Sequence, residues 1–139
     1  MSKTRFIVAR AKDIEPGGRK LVEAGGRQIV LFNLNGEFFA LSDKCPHESG
    51  SLSKGKLAGL PEADEPGQYR LSRPGEFIRC PWHGWEFDIR TGRSHCDPQT
   101  VRTRSYDACV AHGQDLASEG LRAETFEVHL EDDYIVISI

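Results

Sequence analysis

The chain reads as an all-β protein built from antiparallel sheets, and three observations carry that expectation. Apolar residues alternate in short runs, glycine, proline and asparagine punctuate those runs, and no long stretch holds a helical period. Phe6-Ile7-Val8-Ala9 is the first predicted strand, and Pro16-Gly17-Gly18 turns the chain into a second over residues 20–24. Residues 28–34 and 37–41 flank Asn35-Gly36, two residues that tolerate positive φ, which marks a type I′ hairpin. Further strands are expected over residues 68–72 and 76–80, separated by Arg73-Pro74-Gly75, and over 85–89, closed by a Thr91-Gly92 turn. Residues 114–119 suit one helical turn. Phe126, Val128 and Leu130 alternate within 125–130, so that segment is expected to pair with 134–139 across Glu131-Asp132-Asp133.

With 139 residues the chain suffices for one domain with a modest core. Its apolar content is 38% and no run of 18 apolar residues occurs, so no membrane partner is expected. No apolar stretch long enough for a signal h-region follows Met1-Ser2-Lys3-Thr4-Arg5, so no secretory signal is read and the expected location is the cytoplasm. Eighteen basic against 21 acidic residues is too balanced for a nucleic-acid partner.

Chemistry concentrates in Cys45-Pro46-His47 and Cys80-Pro81-Trp82-His83-Gly84. Each places a thiol two or three residues ahead of an imidazole. Zinc sites usually pair like with like, because all ligands converge on one ion. Mixed pairs suit two ions, thiolates on one iron and imidazoles on the other, as in a two-iron cluster. A zinc site of two cysteines and two histidines, in a binding module, remains the competing reading.

The run Cys80-Pro81-Trp82-His83-Gly84-Trp85-Glu86-Phe87-Asp88, then Thr91-Gly92, resembles the second cluster loop of Rieske proteins. Cys45-Pro46-His47, followed by Leu52-Ser53 and Gly55-Lys56-Leu57, resembles the first. The subgroup is that of Rieske-type ferredoxins and the Rieske domains of ring-hydroxylating oxygenases, and the similarity runs from about Phe6 to the C-terminus. The resemblance implies a Rieske fold with a cluster-binding subdomain at about 43–98, inserted in a single domain spanning 1–139. It implies one [2Fe-2S] cluster, with Cys45 and Cys80 on the inner iron and His47 and His83 on the outer one. It also implies an electron carrier, not itself an enzyme, between a flavin-dependent reductase and an oxygenase. A tightly bound subunit of such an oxygenase is the alternative. Only His95, His112 and His129 remain for a further iron, and about forty residues follow the subdomain, too few for a catalytic domain.

Around the ligands, Pro46 and Pro81 stiffen the loops, and Gly84 permits close backbone approach. Trp82 and Trp85 are expected to shield the cluster, and Pro98 to lie in a third, covering loop. Respiratory Rieske proteins brace their loops with a disulfide, but the matching positions here are Gly50 and Trp82. Trp85 and Phe87 stand where those proteins carry hydroxyls, which implies a potential at the low end of the family's range. His95 and Cys96 adjoin Asp97-Pro98 but have no place in a completed ligand set, and Cys96 and Cys109 are expected as free thiols. Cys109 and His112 make a weak second pair. The 32 residues between His47 and Cys80 exceed the family's usual spacing, and the excess at 58–75 is expected as a solvated surface loop.

Overall fold

A computed structural model describes residues 4–46, 50–65, 67–81, 85–95 and 97–139. The chain forms two compact units, one of Met1–Ser42 with Ser105–Ile139 and one of Asp43–Arg104. Both are built on antiparallel strands, as the alternation and turn signals require.

The first unit is a six-stranded sheet. Its strands are β1 (Arg5–Arg10), β2 (Arg19–Ala24), β3 (Arg27–Leu34), β4 (Glu37–Ser42), β8 (Ser105–His112) and β9 (Asp133–Ser138), in the order β1-β9-β8-β4-β3-β2. The β3–β4 hairpin turns on Asn35 at φ 53° and Gly36 at φ 95°, the two positive values a type I′ turn needs. Asn33 secures the approach: its amide donates to the Ile14 carbonyl at 2.8 Å and accepts from the Gly36 N–H at 2.7 Å.

Strand β9 reads as a nearly continuous apolar run because both of its faces are covered. Ile135 and Ile137 enter a core with Ile14, Ile29 and Leu31. Tyr134 and Val136 point the other way, against Ile7 and Leu116. Leu116 belongs to the short helix α1 (Gly113–Ser118), close to the helical turn expected at 114–119.

One sequence expectation is corrected here, and one strand appears that the sequence did not predict. Residues 125–130 form no strand, and β9 pairs instead with β1 and β8. The alternation of Phe126 and Val128 reflects packing on the second core without ladder pairing. Phe126 stacks on Tyr134 with centroids 5.9 Å apart, and the Tyr134 hydroxyl accepts the His129 N–H at 2.7 Å. Strand β8 escaped the sequence reading because its residues alternate only between half-buried and exposed. Backbone pairing with β9, rather than an apolar stripe, defines it.

The second unit holds a three-stranded sheet of β5 (Lys56–Glu65), β6 (Gln68–Arg79) and β7 (Glu86–Asp88), in the order β5-β6-β7. Residues 58–75 are therefore not a surface loop: most of them pair as the outer half of the β5–β6 hairpin. Prolines and acidic residues suggested a loop, but a long two-stranded ribbon tolerates both at its edge and at irregularities. The two strands expected around Arg73-Pro74-Gly75 are one strand with a wide irregularity, since Ala58 pairs with Phe77 but Leu60 with Ser72. Arg73 and Gly75 take φ values of 49° and 76° there. No helix among the described residues is long and apolar enough to cross a membrane.

Replacing Tyr134 with Phe removes the acceptor of the His129 N–H while keeping the stacked ring. The expected cost is about 1 kcal/mol, read as a lowered urea midpoint at unchanged slope.

Candidate metal centre

Two loops in the second unit carry the four candidate ligands, and their stems are alike. Lys44 bridges Ser51 in antiparallel fashion, and inside that pair the Cys45 N–H donates to the Gly50 carbonyl at 2.8 Å. Arg79 pairs with Glu86 in the same sense, and inside that pair the Cys80 N–H donates to the Trp85 carbonyl at 2.7 Å. Each cysteine thus sits at the mouth of a loop closed by a bond to the carbonyl five residues on. Both cysteines are buried, at 1% and 2% exposure. Two buried thiols held by their own backbones suit thiolate ligation, which needs a fixed, shielded donor.

The residues between, His47 in the first loop and Trp82, His83 and Gly84 in the second, lie outside the described residues, as does Cys96. Pro46 and Pro81 are exposed beside their cysteines, and Trp85 is half-buried. Phe87 is fully buried in β7, opposite Ile78 of β6. Pro98 is exposed in a turn where the Asp97 N–H bonds Ser94 Oγ at 3.1 Å and the Val101 N–H returns to the Asp97 carbonyl at 2.9 Å. His95 meets Phe77 edge-on at 6.1 Å. Cys109 is an exposed free thiol in β8, and His112 Nδ1 lies 3.0 Å from Asp133.

Three supports of the loops were not singled out from sequence. Asp43, 8% exposed, braces the first loop: it takes the Ser51 hydroxyl at 2.6 Å and the Ser53 N–H at 2.7 Å, and its carbonyl takes the Leu52 N–H at 2.7 Å. Ser51 and Ser53 hydroxyls also meet at 2.8 Å. With the Ser51 proton given to Asp43, Ser53 is the donor of that pair. Gly55 joins the two loops. A Cβ there would stand 1.9 Å from the carbonyl oxygen of Arg79, the residue before Cys80. Only glycine lets the exit of the first loop press on the entry to the second. Its place in the Gly55-Lys56-Leu57 motif was the available signal, but the contact joins residues 24 positions apart in sequence.

The third support is ionic. Arg73 donates to Asp88 at 2.9 Å and to Glu76 at 3.2 Å, while Arg90 donates to Glu76 at 2.9 Å. The Arg73 guanidinium also lies 4.7 Å above the Phe77 ring centre. These contacts hold the positive-φ segment against β7 and offset its backbone strain. The hydrogen bond from Arg90, then that from Arg73, holds the Glu76 carboxyl below its ordinary range. The bond to Asp88 raises Arg73 above its own.

The profile of the Rieske [2Fe-2S] domain matches residues 4–107. The chain belongs to that family. Among curated Rieske relatives it is 30% identical, over 79% of its length and 90% of the other's, to a 3-phenylpropionate/cinnamic acid dioxygenase ferredoxin subunit of Photorhabdus laumondii. It is 29% identical to ferredoxin CarAc of Metapseudomonas resinovorans, over 82% of its length and 92% of the other's. The fold is similar to that of the Sphingomonas yanoikuyae B1 ferredoxin, with a TM-score of 0.61 at 20% identity, covering 98% of this chain and 99% of that one.

Gly55→Ala is expected to push the two loops apart. The far-ultraviolet spectrum should persist while bound iron per chain falls severalfold, because the six-stranded sheet lies in the other unit. Glu76→Gln tests the ionic support. A carboxyl with a lowered folded pKa stabilises above its unfolded value, near 4.5, and loses that contribution as pH falls through its lower folded value. The wild type should therefore lose more stability than Glu76→Gln between about pH 5 and pH 3 in urea titrations.

Proposed function

We propose that the chain is a Rieske-type ferredoxin that passes single electrons from a flavin-dependent reductase to an oxygenase. The observation that carries this reading is the pair of matching loop stems, each presenting one buried cysteine, in a chain that spans nearly the whole of two ferredoxin relatives. Cys45 and Cys80 are the inner-iron ligands and His47 and His83 the outer-iron ligands of one [2Fe-2S] cluster. When bound, the cluster stores and releases one electron. Asp43–Arg104 is the cluster-binding unit, and the protein acts in the cytoplasm as a carrier, without bond chemistry of its own.

The residues around the loops set the conditions for that task. Cys45 and Cys80 are buried away from water, and the Cys N–H bonds fix the direction in which each side chain leaves its loop stem. Trp85 and Phe87 supply bulk but no hydroxyl donor, so the added negative charge of the reduced state receives less stabilisation. The oxygenase-subunit alternative differs only in how tightly the partner is held.

Protein purified without oxygen is expected to be brown-red, with two irons and two acid-labile sulfides per chain and a potential of roughly −150 mV. Elemental analysis, visible spectra and voltammetry read this. Colourless protein carrying one tightly bound zinc after attempted cluster reconstitution would establish the binding-module reading instead. A potential well above zero would reopen a role in quinol oxidation.

A further inference from the structure

The inner end of the β5–β6 hairpin carries an arrangement of charge that stability alone does not favour. Lys56 and Arg79 are direct cross-strand partners. Like charges opposite one another destabilise an antiparallel pair. Lys54 ends the short 3-10 turn Leu52–Lys54, two residues before Lys56. All three side chains are exposed. With Gly55, Cys80 and Pro81 they line a shallow depression of about 290 Å³.

Among the described residues, neighbouring carboxylates leave this charge largely intact. Asp43 accepts from Ser51 and Ser53. Glu86 reaches Arg79 only at 3.5 Å, with the Arg79 side chain 50% exposed. Lys54 and Lys56 have no acidic partner among the described residues. Glu76, in the same strand as Arg79, is engaged by Arg73 and Arg90, and the hairpin's other acidic residues, Glu62, Asp64 and Glu65, lie toward its other end. Glu62, the nearest of these three, is six positions along the strand from Lys56, roughly 20 Å at 3.3 Å per residue. That is more than two Debye lengths at physiological salt, so the distal acids do not cancel the basic end. A chain of net charge −3 thus carries a local cationic face beside the Cys80 loop.

We propose that Lys54, Lys56 and Arg79, grouped around Pro81, form the docking face for a redox-partner protein that presents carboxylates around its own electron-transfer site. This rests on the reading of the Cys80 loop as part of the cluster site. The face steers an acidic partner to the loop that its net charge would otherwise repel. Exposed Pro81 supplies a rigid apolar contact among the three cations.

Ferricyanide, an inorganic trianion, serves as the acidic probe in stopped-flow oxidation of the reduced holoprotein. Each event moves one electron from protein to ferricyanide, giving ferrocyanide. The second-order rate is expected to fall roughly threefold to tenfold as salt rises from about 10 mM to about 300 mM. Lys54→Gln with Lys56→Gln should flatten or invert that dependence, and Lys12→Gln with Lys20→Gln should leave it unchanged. A cluster-independent readout is binding of fluorescent poly-L-glutamate, which the first pair should weaken and the second should not. Lys56→Glu should also raise the urea midpoint by relieving the Lys56–Arg79 repulsion, while weakening polyglutamate binding. A wild-type rate that rises with salt, as net charge alone dictates, would overturn the proposal. So would equal polyglutamate binding by wild type and Lys54→Gln/Lys56→Gln. Protein with normal iron, sulfide and colour but no patch effect defeats only the docking face; protein without a cluster defeats the carrier reading, and polyglutamate still tests the face.

Discussion

The architecture of the second unit depends on one close approach, that of Gly55 to the Arg79 carbonyl. It brings the two cysteine-bearing loops against each other. The backbone leaving the first loop touches the backbone entering the second, without a side chain between them. Asp43 then fixes the first loop from within, and Arg73, Glu76, Asp88 and Arg90 fix the β6–β7 stem from outside. Gly50, read from the sequence resemblance as standing where respiratory Rieske proteins carry a bridging cysteine, serves as the acceptor that closes the Cys45 loop.

The sequence carried the metal chemistry more plainly than the geometry that supports it. Cysteine and histidine spacing, with the adjoining prolines, pointed to the family. Asn35-Gly36 gave away its hairpin because positive φ at two successive positions leaves few residue choices. The likeness of the two loop stems was hidden, since the histidines stand at different offsets from their cysteines. What the stems share is the backbone bond from Cys45 to Gly50 and from Cys80 to Trp85, and a carbonyl acceptor leaves no mark on residue type.

Longer-range errors had a common origin. Phe126 and Val128 alternate as a strand would, but the period records only which side faces the core, and they have no ladder partners among the described residues. Strand β8 is the reverse case, with ladder bonds to β9 and little apolar patterning. Prolines at 61 and 74 obscured the β5–β6 ribbon, where the loss of a backbone donor is tolerated at an edge or an irregularity.

The division of the chain has a consequence for the order of assembly during synthesis. Asp43–Arg104 is contiguous, so every strand pairing within it can form once Arg104 has cleared the ribosome. The other unit must wait for β9, because Tyr134 to Ile137 fill both of its cores and bridge β1 to β8. The two cysteine-bearing loops can thus be closed while the sheet that flanks them in sequence still lacks β9, the strand between β1 and β8.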